Sequence, residues 1–210
     1  MEKVEAQPLT VMDTLRTCTQ DLHTDAEGQD FQRSMGTGNV QREPFIKYLG
    51  QLYYMHKHIA DLLEKHRDMP AIQKVLKPYH QDLTCVTNDL AYFDRSVSDE
   101  PILPSTKRIN DHLTELAATS PVSLLGALYV LEGSTNGAKF LAKSMRKALD
   151  CPVERGASYF DRYGEAQRER WTKFKEDMVA CNFSEAQTKE LVASARRMFQ
   201  AFFEIGQDLG

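Results

Sequence analysis

Tyr129-Val-Leu-Glu-Gly-Ser-Thr-Asn-Gly-Ala-Lys-Phe140 interrupts an otherwise strong helical pattern. Leu124, Leu125, Leu128 and Leu131 precede it, and Phe140, Leu141 and Met145 follow it, at helical spacing. Pro121 suits a first helical turn after Ser120 as cap, so one helix is expected from about Pro121 to Leu149. Gly133 and Gly137 lie near its middle, four apart and therefore on one face, each costing roughly 1 kcal/mol against alanine. A bare strip results, with Ser134 and Asn136 beside it, and something must come close to that backbone. Glu132, Lys139, Lys143 and Arg146 argue against a partner helix in a membrane. A closely packed helix or a flat ligand remains.

Outward from this stretch the pattern is helical throughout. Val11, Leu15, Cys18 and Leu22 mark a first helix over about 10–24, and a short helical piece is expected around 30–35. Phe45, Tyr48, Leu49, Leu52, Met55 and Ile59 carry a long helix from Arg42 to about His66. Helices follow over about 71–76, 79–95 and 106–119, with Pro78 ending the first of these. Residues 150–163 read as an irregular aromatic connection. Two closing helices cover about 164–181 and 184–209, the second opened by Ser184 and Gln187 at capping-box spacing. No alternating strand pattern appears. The expectation is a single all-α domain of about eight helices over residues 10–210, behind a loose leader at 1–9.

Composition excludes several classes. A formal net charge of −4 gives no electrostatic case for nucleic acid. No apolar run approaches the ~18 residues of a membrane span, and the polar N-terminus lacks a signal-peptide core. The four cysteines are scattered without a C-x-x-C pair, so neither zinc nor a disulfide framework is indicated. A cytoplasmic protein without a membrane anchor is expected. Glu-x-x-His is absent from the chain, which argues against a carboxylate-bridged di-iron bundle.

Of six histidines, His23 has the informative neighbours. It closes an apolar helical stripe, and Glu27 one turn later could hold the second ring nitrogen, as a metal-ligating histidine requires. Arg16, two turns back, could pair with a ligand carboxylate. The alternative is a first helix whose polar end simply meets solvent. Tyr48, Tyr53, Tyr54, Phe174, Phe199, Phe202 and Phe203 read as core rather than cofactor wall. Arg168, Arg170, Lys173 and Lys175 read as a solvated basic face.

These residues, taken together, resemble the heme oxygenases. His23-Thr-Asp-Ala-Glu27, Phe31, Val40-Gln-Arg-Glu-Pro-Phe45 and Leu52-Tyr53 are similar to that family's proximal region without a gap. Gly133-x-x-x-Gly137 followed by Ala148-Leu-Asp-Cys-Pro152 is similar to its distal helix, and Lys173-Phe-Lys175 to the start of a late helix. The resemblance implies an all-α fold clamping heme between two helices, with His23 as axial iron ligand and Glu27 its neighbour. It implies Gly133, Ser134 and Gly137 over the oxygen site, Arg16 and Lys175 near the propionates, and Tyr129 among the heme-binding residues. Tyr129 stands one residue from the family's tyrosine.

The implied reaction opens heme, which is both substrate and cofactor, with molecular oxygen to biliverdin, carbon monoxide and ferrous iron. An external donor (reductase, ferredoxin or ascorbate-like) would supply electrons, a bilin-using protein could take the product, and iron acquisition could draw on the metal. A monomeric, soluble, bacterial-type member is expected. Ser134 stands where mammalian members carry an aspartate, and Val179 where they carry an arginine. That exchange admits the alternative of a heme-binding or heme-sensing protein of the same fold with little turnover.

Overall fold

The computed structural model describes residues 9–210, the side chain of Glu27 excepted, so most of the expected leader lies outside the described residues. Among them are nine α-helices and no strand: α1 Val11–Gly28, α2 Asp30–Thr37, α3 Arg42–Lys65, α4 Pro70–Val75, α5 Thr84–Tyr92, α6 Pro104–Thr119, α7 Leu124–Leu149, α8 Gln167–Val179 and α9 Glu185–Leu209. The all-α, single-domain expectation holds. Among the described residues no helix is long and apolar enough to cross a membrane.

Local chemistry sets the boundaries. Thr10 and Asp13 cap α1 reciprocally, and Ser184 and Gln187 do the same for α9 at the expected spacing. Gly38, at φ 74°, ends α2 in the left-handed conformation that glycine adopts without penalty. The expected helix over 79–95 is divided. Pro78–His80 forms a 3-10 turn, the Asp82 carboxylate takes the Thr84 N–H at 2.9 Å, and α5 begins there. Pro121–Ser123 is likewise a 3-10 turn, so α7 starts at Leu124 and not at Pro121. The first helix runs one turn past its expected end, to Gly28, where Gln29 turns extended and α2 departs.

α7 and α9 make the spine. Leu124, Leu125, Leu128 and Leu131 of α7 and Leu191, Ala195, Met198 and Ala201 of α9 are all buried. Their closest approach is at Gly126, where a Cβ would stand 2.1 Å from the Leu191 carbonyl oxygen. This is the glycine that lets two helix backbones touch. α1, α3 and α6 also pack on α9, while α2, α3, α8 and the 3-10 turn Ser158–Asp161 pack on α7. Phe45, Leu49, Leu52, Met55 and Ile59 bury the inward face of α3, as the spacing required.

Candidate functional site

One face of α7 is fixed by charge. Glu132 is 3% exposed, and its carboxylate accepts from Arg162 at 2.5 Å and from the Tyr163 hydroxyl at 3.0 and 3.1 Å. The Arg162 side chain is itself 4% exposed, stacked over the Tyr163 ring at 4.6 Å. A buried carboxylate tied this way sets the rotation of α7. With Glu132 inward, Gly133, Ser134, Asn136 and Gly137 turn toward a cavity of about 730 Å³.

That cavity lies within the size range of small-molecule sites, and its wall is mainly apolar. His23 and Ala26 come from α1, Met35 and Gly36 from α2, and Tyr48 and Leu52 from α3. Tyr159 and Phe160 come from the 3-10 turn, and Phe199 and Phe202 from α9. His23 is exposed on α1, its ring set edge-on to Phe199 at 5.7 Å. At Gly137 an added Cβ would meet nothing within 4 Å, and at Gly133 only the Trp171 ring at 3.5 Å. At Gly137 the bare strip of α7 therefore faces open cavity, while at Gly133 it lies against the Trp171 ring of α8.

The three polar side chains between the glycines all bond back to their own helix. Ser134 Oγ donates to the Leu131 carbonyl at 2.8 Å, Thr135 Oγ1 to Glu132 at 2.5 Å, and Asn136 Nδ2 to Gly133 at 2.9 Å. Ser134 thus offers the cavity lone pairs and no proton.

Arg16, Tyr129 and Lys175 lie off the cavity wall. Arg16 and Tyr129 are neighbours. Burial raises the Tyr129 phenol, while a bond with Thr19 and the Arg16 charge oppose the rise. The Tyr129 ring lies 6.0 Å from Trp171, which stacks on Phe174 at 5.5 Å. Lys175 is exposed on α8 one turn beyond Trp171. Glu27 is carried by α1, and its side chain is the one outside the described residues.

Sequence reasoning put Tyr48, Phe199, Phe202 and Phe174 in the core; Phe174 and Tyr48 are buried there, but Tyr48, Phe199 and Phe202 also stand on the cavity wall. The expected basic face on α8 is only partly solvated. Arg170 lies over the rings of Tyr79 and Tyr163 at 4.5 and 4.4 Å, and Lys173 pairs with the buried Asp177. Also missed was the polar array behind the wall. His56 Nε2 lies 2.6 Å from the Tyr159 hydroxyl, and His80 Nε2 lies 3.7 Å from Glu132. Burial lowers both imidazoles, His80 to about 3, and raises the Tyr159 phenol to about 12. The histidines are therefore neutral and the phenol protonated at neutral pH. Among the described residues no group of three or more His, Cys, Asp or Glu could hold a bare metal ion.

An all-α frame sets a histidine-bearing helix and a glycine-interrupted helix on one apolar cavity, the size of a small-molecule site. The chain belongs to the heme oxygenase family, whose model matches residues 9–208. It is 27% identical over 202 residues to heme oxygenase 2 of Synechocystis, covering 93% of this chain and 81% of the relative. It is 25% identical to human heme oxygenase 1, covering 98% of this chain and 73% of the relative. The crystal structure of the Synechocystis heme oxygenase-2 in complex with heme and NO superposes with a TM-score of 0.89 at 25% identity, covering 96% of this chain and 85% of that one. A TenA homologue from P. horikoshii shares the fold at a TM-score of 0.67 and 14% identity, covering 96% of this chain and 98% of that one. The fold by itself thus does not dictate chemistry. The sequence and family place this chain among enzymes.

Proposed function

We propose that this chain binds heme in the α1–α7 cavity and opens it, with oxygen and electrons from an external donor, to biliverdin, carbon monoxide and ferrous iron. The observation that carries the reading is the pairing of His23 on α1 with the bare backbone at Gly137 on α7, both facing one apolar cavity. The residues fit the group. A flat macrocycle needs a wall without side chains on one side and an imidazole on the other, and its apolar edge needs Met35, Leu52 and Phe160 or their like.

In this reading His23 would hold the iron; the expected partner role of Glu27 falls on a side chain outside the described residues. Gly133 and Gly137 admit the macrocycle close to the helix backbone. Ser134 presents a hydrogen-bond acceptor above it. Arg16 on α1, Tyr129 on α7 and Lys175 on α8, all off the wall, would attract the propionates by charge and hydroxyl. The heme itself supplies oxygen activation once reduced; the protein orients it, excludes water and provides hydrogen bonds. Iron acquisition or bilin supply would be the use of the products.

Adding hemin to the protein is expected to give a stoichiometric complex with a Soret band typical of histidine ligation. His23→Ala should alter that band and weaken the complex. An absent complex, or one indifferent to His23, defeats the reading. A second reading, a heme-binding or heme-sensing protein with little turnover, is favoured by Ser134 in place of a carboxylate; hemin bound without bilin formation would select it.

A further inference from the structure

Most polar groups of the cavity wall already have a protein acceptor. Ser134, Thr135 and Asn136 donate to their own helix. On α2, Thr37 donates to the Arg33 carbonyl at 3.0 Å, and Gln32 donates across to the Phe202 carbonyl at 3.2 Å. The Tyr159 hydroxyl is engaged with His56.

Tyr48 differs. Its hydroxyl has no hydrogen-bond partner among the described residues, although the residue is only 5% exposed and forms part of the cavity wall. The ring is held in place, edge-on to Phe31 at 5.0 Å and stacked on Phe160 at 6.5 Å. Burial raises its phenol above the ordinary value, with Tyr159 nearby adding to the effect. The group therefore stays protonated, and the cavity that Tyr48 lines is where an acceptor could reach it. A donor left without an acceptor is unfavourable, which favours a ligand or water that supplies one.

We propose that Tyr48 is the hydrogen-bond donor that this cavity presents to a small acceptor bound inside it, namely the diatomic or anionic ligand of a seated heme. The assignment rests on the heme reading above. It gives the donor role to α3, where Ser134 of α7 offers only lone pairs. Tyr48→Phe removes one oxygen and keeps the ring that Phe31 and Phe160 pack against, so the fold is preserved.

The test uses the hemin complex of the full chain. In the ferrous carbon monoxide complex, the C–O stretch should shift between H2O and D2O, and in Tyr48→Phe it should move to higher frequency and lose the isotope shift. Fluoride affinity of the ferric complex should fall about two- to tenfold in Tyr48→Phe. Equal stretch, equal isotope response and equal fluoride affinity in the two proteins overturn the assignment. Should Tyr48→Phe fail to fold, a fluorinated tyrosine placed at position 48, a more acidic donor, should lower the C–O stretch; an unchanged stretch is contrary. Failure of hemin to bind defeats both this assignment and the heme reading. Hemin bound normally with these signals unmoved defeats the assignment alone.

Discussion

The Ser134 hydroxyl donates to the carbonyl of Leu131, one turn back on α7, at 2.8 Å. This neutral residue beside the glycine strip thereby has its proton engaged. Ser134→Ala removes one uncharged acceptor and should lower the rate of heme conversion by no more than about tenfold, the scale of one hydrogen bond. Single-turnover spectra of the two proteins measure this. A loss of several hundredfold would show that the hydroxyl leaves Leu131 to act on the ligand.

Two glycines on α7 should answer differently to alanine. At Gly137 an added Cβ meets no atom within 4 Å, so the heme-free protein should gain up to about 1 kcal/mol from helix propensity while hemin binding weakens. At Gly126 the same methyl would strike the Leu191 carbonyl at 2.1 Å, and stability should fall with the α7–α9 contact. Urea unfolding without hemin, and hemin titration of each variant, separate the two roles. Equal destabilisation by both substitutions would refute the placement of the bare strip at open cavity.

Acid should unfold the protein early. Burial holds His80 at about 3 and His56 well below the ordinary value near 6.5. The unfolded chain therefore binds more protons than the folded one between about pH 6.5 and 3, so stability is complete above pH 6.5 and declines as pH falls through that window. Each histidine contributes a slope of about 1.4 kcal/mol per pH unit there. Urea midpoints at pH 7, 6 and 5 should fall in sequence, and His80→Asn should flatten the decline. A constant midpoint over that range is the contrary result.

Glu132 and Arg162 are each nearly sealed from solvent at 2.5 Å from one another. Glu132→Ala leaves a buried guanidinium without its carboxylate and should cost about 3–5 kcal/mol. Glu132→Leu combined with Arg162→Met should recover most of the loss, because neither charge is then stranded. Thermal unfolding of the single and double variants decides this; an additive double variant contradicts it.

How much of this was legible in the chain depends on the range of the interaction. Helices repeat every few residues, so Phe45 to Ile59 announced α3, and Ser184 with Gln187 announced the start of α9. The break at Asp82 was hidden, because its carboxylate competes for the Thr84 amide only by a local choice that propensity does not fix. Gly133 and Gly137 advertised a bare strip, but their spacing could not say whether a helix or open space faced it. Gly126, the glycine that does receive a helix, carried no such pairing. His56 and Tyr159 are 103 residues apart, and no periodicity joins them. Tyr48 looked like core because it shares the apolar stripe of α3. Only its neighbours across the fold reveal that its ring is packed, that its hydroxyl finds no protein partner, and that the residue lines a cavity.

The central claim is that the cavity converts heme and does not merely hold it. The direct measurement is incubation of the stoichiometric hemin complex with oxygen and a reductant, following the Soret band and identifying the products. The account predicts loss of the Soret band, growth of a bilin absorbance, and one carbon monoxide and one ferrous ion released per heme. Heme that persists, or that bleaches without bilin or carbon monoxide, would contradict it.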